Sequence, residues 1–179
     1  MLKGTGITRN AKTIDLNSVG LDESTALHLS VKEGYKNISE YLLDKGAIIE
    51  CRNNFLQTPL HLSCMRGDAE LFNLLLSRNA NILAKDSNGN TPLHLLASYG
   101  YLNLIKHVLL LPQSAIASKV KNNSNKLPID LTTNPKVKEL LEQIAVPRKD
   151  MTTQKIHIHS ANQSNNVIST IFAKTPKEV

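Results

Sequence analysis

A short motif returns in this chain at a fixed interval. Thr58-Pro59-Leu60-His61-Leu62 is followed 33 residues later by Thr91-Pro92-Leu93-His94-Leu95, and 33 residues earlier stands Thr25-Ala26-Leu27-His28-Leu29. A looser copy, Leu127-Pro128-Ile129-Asp130-Leu131, lies 36 residues beyond the third. A unit of this size cannot bury an apolar face alone, so the period demands a stack in which each copy covers its neighbour.

Each repeated letter has a physical reason. Thr can cap a helix start. Pro at the first helical position has φ preset and lacks an N–H that would be orphaned anyway. Leu60 and Leu62, with their equivalents, supply a buried stripe. Gly34, Gly67 and Gly100 sit nine residues after the three threonines, where the left-handed conformation ends a first helix. Apolar runs at helical spacing follow: Ile38, Tyr41, Leu42 and Leu43; Leu71, Leu74, Leu75 and Leu76; Leu104, Val108 and Leu109. Gly46 and Asn79 suit the ends of second helices. Asp86-Ser87-Asn88-Gly89-Asn90 reads as a hairpin turn leading into the next Thr-Pro.

This period and signature resemble the ankyrin repeat. The resemblance implies an all-α solenoid of stacked helix pairs joined by β-hairpin-like loops. Leu16, Ile49 and Ile82 share one register, which places the array at residues 14–145 in four repeats, the last degenerate. There Asn134-Pro135 replaces the glycine turn, and Val137, Leu140, Leu141 and Ile144 form a short second helix. Three extra residues near Leu111-Pro112-Gln113-Ser114 read as a loop insertion or as a partner-contacting bulge. Residues 1–13 read as a flexible N-terminal arm. Residues 146–179, opened by Val146-Pro147, read as a polar, basic tail that is mostly disordered. Lys155–His159 and Val167–Phe172 are β-prone, and a paired or docked hairpin is the alternative there.

The chain carries a formal net charge of +6, which raises nucleic acid as a partner. The charges are not clustered and no aromatic platform accompanies them, so nucleic acid is unlikely and an acidic protein or a solvated surface fits better. No stretch reaches membrane-span length, and the N-terminus lacks an apolar signal region. Cys51 and Cys64 match no metal or disulfide framework and stand where the next copy has Ala84 and Ala97, so they read as small packed residues. A reduced cytoplasmic or nuclear location follows as the expectation.

His28, His61 and His94 lie on successive units about 8–10 Å apart and cannot converge on one metal. They read as structural groups that hydrogen-bond neighbouring backbone, the role the resemblance also implies, with Asp130 doing similar work in the fourth copy. His157 and His159 alone do not make a metal site, and Gly4-Thr5-Gly6 lacks the rest of a phosphate loop. Thr175-Pro176 matches a proline-directed phosphorylation site, a dipeptide common in tails. The C-terminus departs from the usual PDZ-ligand pattern. No acid–base or nucleophile constellation emerges, so the expectation is a chain that is not an enzyme and uses no cofactor or metal.

The resemblance implies partner binding along hairpin tips and the exposed side of the first helices. By register the tips are Leu21, Asp22 and Ser24, then Asn54, Phe55 and Gln57, then Ser87, Asn88 and Asn90, then Asn123, Ser124 and Lys126; the helix positions are Lys32, Glu33, Met65, Arg66, Ser98 and Tyr99. Phe55 stands where a tip is usually polar, with Leu56 in the place of Gly89. Aromatic residues and arginine dominate binding hot spots, and methionine adapts to irregular surfaces. Phe55, Met65, Arg66 and Tyr99 therefore form the expected interface centre; the alternative is that Phe55 folds back on its neighbour. The functional expectation is a monomeric, non-catalytic adaptor, scaffold or inhibitor that binds another protein through its concave face and takes no small-molecule substrate. Two alternatives stay open: the repeat region of a larger enzyme or effector, and a basic tail that tethers the array to nucleic acid or acidic membrane.

Overall fold

The computed structural model of the chain describes residues 15–20 and 22–145. The elements are α1 (Ala26–Glu33), α2 (Lys36–Asp44), α3 (Pro59–Arg66), α4 (Ala69–Ser77), α5 (Pro92–Tyr99), α6 (Leu102–Leu109) and α7 (Ser114–Ala117), then a 3₁₀ turn (Pro128–Leu131) and α8 (Pro135–Ala145). First helices stack on first helices, α1 on α3, α3 on α5, and α5 on the 3₁₀ turn. Second helices form an outer layer with α2 against α4 and α6 against α8. The arms between units are loops, and the one described β-bridge pairs Val19 with Thr25.

The core is the repeated stripe. Leu27, Leu60 and Leu93 from the first helices meet Leu42, Leu71, Leu75, Ile105 and Val108 from the second, all buried. Burying a leucine fully contributes about 1.5–3 kcal/mol, so this stripe holds the units together. Arg78 pairs with Asp44 at 2.8 Å and Glu40 at 3.8 Å, and Lys36 with Glu70 at 3.1 Å. These surface pairs each add about 1 kcal/mol or less.

Several expectations change. Leu29, Ile38 and Tyr41 are exposed, although their counterparts Leu62, Leu71 and Leu74 are buried. The first unit has no described neighbour on that side. The fourth unit is not a full helix pair, because its first helix is a single 3₁₀ turn. Its second helix, by contrast, is 11 residues long and starts at Pro135, with the Asn134 side chain accepting from the Lys136 N–H at 3.0 Å. The longer connection folds in part into the short α7, which buries Ala117. The expectations for residues 1–13 and 146–179 lie outside the described residues.

Candidate functional site

The site is built on a clasp that joins one unit to the next. In each full unit the histidine Nδ1 accepts from the backbone N–H of the capping threonine: Thr25 to His28 at 3.2 Å, Thr58 to His61 at 3.1 Å, Thr91 to His94 at 3.2 Å. The opposite ring nitrogen meets a carbonyl of the following loop: His28 to Gln57 at 2.9 Å, His61 to Asn90 at 3.2 Å, His94 to Lys126 at 3.1 Å. A backbone N–H only donates and a carbonyl only accepts, so each ring is the neutral tautomer with its proton on Nε2. Burial also pushes all three histidines below their ordinary pKa.

The threonine is the cap expected of it, sharing a capping box with the histidine in each full unit. Its hydroxyl lies 2.8–3.0 Å from Nδ1 in all three units. In the first unit it accepts from the His28 N–H at 3.5 Å. With the ring proton on Nε2, the hydroxyl donates to Nδ1 and keeps its oxygen lone pairs for the helix N–H groups. In the fourth unit the Asp130 carboxylate accepts from the Leu127 N–H at 2.8 Å, so it ties down the turn's own start.

The loops align on these clasps. Asn53, Asp86 and Asn122 share one register, and each Oδ1 accepts two backbone N–H groups of its own turn, at 2.8–3.0 Å. Backbone bonds then link the tips in series: Asn54 N–H to Asp22 at 3.0 Å, Ser87 N–H to Phe55 at 2.9 Å, Asn123 N–H to Asn88 at 3.0 Å. The sequence reading did not single out Asn53 and Asn122; their shared register with Asp86 was the available signal.

Phe55 projects from this ladder and is 54% exposed, so it does not fold back out of solvent. Beside it Leu56, also exposed, holds φ at +54°. A left-handed leucine costs about 1–2 kcal/mol, and Gly89 takes the equivalent place one unit on at φ +73°.

The first-helix ends carry the other expected residues. Arg66 Nη1 donates to the Lys32 carbonyl at 2.6 Å, and the guanidinium lies where a side chain at Gly34 would stand. One unit on, Tyr101 takes that role: its ring covers Gly67 and its hydroxyl donates to the Met65 carbonyl at 3.4 Å. Tyr99 stacks on Tyr101 with ring centroids 5.8 Å apart. Gln57 Nε2 contacts Met65 Sδ at 3.6 Å, which links the Phe55 loop to the end of α3. Met65, Arg66, Tyr99 and the Lys32 carbonyl thus form one connected row, while the Lys32, Glu33, Asn54, Ser87, Asn88 and Ser98 side chains lie exposed around it. Gln57, a tip position by register, and Tyr101, which the register did not single out, link the row.

Cys64 is buried, and burial pushes its thiol far up. Cys51 is half-buried with Sγ 3.3 Å from Thr25 Oγ1, and burial raises its thiol too. Neither is an activated thiolate. No described helix is long and apolar enough to cross a membrane. Residues 15–145 carry thirteen cations and thirteen carboxylates, so the +6 resides in residues 1–14 and 146–179, three units in each.

Stacked helix pairs, serially bonded loop tips and a Thr–His clasp at each junction define a helical repeat solenoid. The family model described as ankyrin repeats (3 copies) matches residues 6–86 and 27–126, more than half of the chain. The chain belongs to the ankyrin-repeat family, whose repeats are generally protein–protein interaction modules and typically non-catalytic. A search of curated proteins finds no match.

Proposed function

We propose that this chain is a non-catalytic adaptor, scaffold or inhibitor that holds a partner protein between the Phe55–Leu56 tip and the Met65–Arg66–Tyr99 row. The observation that carries this reading is an exposed aromatic on a backbone fixed from both sides. The Phe55 N–H donates to Asn53 Oδ1 at 3.0 Å, and its carbonyl accepts from Ser87 at 2.9 Å. An apolar anchor so held loses little conformational freedom on docking, and that raises affinity for a given contact area. Leu56 adds a second exposed apolar side chain to this tip; its left-handed backbone is the turn geometry that Glu23, Gly89 and Asn125 share in the other tips. Arg66 serves as a brace for the row, since its guanidinium is already committed to Lys32.

The test is affinity capture with wild type beside Phe55→Ala/Tyr99→Ala, with Asn103→Ala on the outer layer as control and folding checked by circular dichroism. Truncating hot-spot residues costs about 2 kcal/mol or more each, so the double variant should lose its partner while Asn103→Ala keeps it. Equal capture by all three would refute the site.

A further inference from the structure

The N-terminal end of the stack exposes an apolar face, and we infer that residues 1–14 of this same chain dock on it as a cap. Ile38 and Tyr41 of α2 are 50% and 59% exposed, whereas Leu71 and Leu74, at the same register of α4, are 0% and 9% exposed. The second unit buries these positions because it has a neighbour on its N-terminal side. The first unit carries other apolar residues, Ile38 and Tyr41, at this register with nothing described over them. This face therefore continues, one layer further out, the interface that already joins the units.

The path of the chain leads the N-terminal segment to this layer. Asn17 Oδ1 accepts from the Ile48 N–H at 2.8 Å, as Glu50 Oε1 accepts from the Asn81 N–H at 2.7 Å one period later. Asn17 thus stands one layer N-terminal to Ile48. By the same register residues 3–11 fall in the layer that would cover α2, Lys36–Asp44. The ankyrin match itself begins at residue 6.

Chemistry agrees with the path. Ile7, Ala11 and Ile14 follow the i, i+4, i+7 spacing of one helix face. Lys3, Arg9 and Lys12 are unopposed by any carboxylate within the segment. Residues 15–47 carry six carboxylates against three cations. Two such acidic units face to face would repel, which disfavours a second copy of the chain as the occupant. Arg9 and Asn10 occupy the register of Leu42 and Leu43, so the segment is a cap and not a further unit.

Hydrogen exchange on the full chain tests this. Amides within residues 1–14 should exchange at least about tenfold slower than in the free peptide, equivalent to about 1.4 kcal/mol of docking. Ile38→Glu, at a position that is 50% exposed, should restore free-peptide rates while circular dichroism shows the array still folded. So should Lys3→Glu/Arg9→Glu/Lys12→Glu, which leaves the array untouched. Free-peptide rates in monomeric wild type overturn the inference. So do free-peptide rates in a dimer, seen by light scattering, that Ile38→Glu dissolves; a second copy then covers the face. Protection that survives both variants also overturns it.

Discussion

Lowering the pH should unfold this array through its three clasps. His28, His61 and His94 are fully buried and neutral, each with Nδ1 facing a backbone N–H at 3.1–3.2 Å. A proton on Nδ1 would set donor against donor and bury an unpaired charge. Burial lowers all three pKa values, so between the ordinary histidine value and the folded value the unfolded chain binds more protons than the native one. Stability is therefore full above about pH 6.5 and falls as pH drops through that point toward the folded pKa. Each clasp contributes a slope approaching about 1.4 kcal/mol per pH unit, and three together about 4. A small domain has roughly 5–15 kcal/mol in total. Urea unfolding of the full chain at intervals from pH 7.5 to 5.5 measures this slope. His61→Gln should be less stable at pH 7.5, yet should lose about a third of the slope. A flat profile across the window, or a His61→Gln profile as steep as wild type, would refute the neutral clasp.

Two further outcomes test the packing. Gly89→Ala should destabilise by about 2–4 kcal/mol, since φ is +73° and a Cβ would stand 2.7 Å from the Asn123 backbone nitrogen. Gly46→Ala, at φ +90° with nothing within 4 Å, should cost only about 1 kcal/mol. Chemical denaturation of both variants gives the comparison, and equal losses would mean that backbone strain alone acts at Gly89. With a thiol reagent at pH 8, Cys51 should react slowly and Cys64 only on unfolding, because both thiols are raised by burial and Cys64 is fully enclosed. Rapid labelling of two thiols in the native protein would contradict this packing.

Much of the fold was legible in the spacing of a few letters. Thr58, His61 and Gly67 act locally: a helix start, its cap and its end lie within ten residues, so local rules suffice to read them. The same rules hold one period earlier and later, which is why unit boundaries and the stacking direction of Leu60 and Leu93 followed from register. The candidate site was only partly legible. Phe55 and Tyr99 stood out as bulky residues at polar positions. That Arg66 is spent on the Lys32 carbonyl, and that Tyr101 covers Gly67, depends on residues about 34–36 positions apart meeting across a junction. No local pattern encodes such a meeting.

The ends show the division most clearly. A period read from letters treats Leu29, Ile38 and Tyr41 like Leu62, Leu71 and Leu74, because all are apolar. Burial separates them, since it depends on whether another layer stands over the residue. Identity and spacing therefore set what each unit is and how it repeats. Whether an apolar side chain becomes core or open surface depends on its neighbours in space, because the hydrophobic contribution scales with the area removed from water.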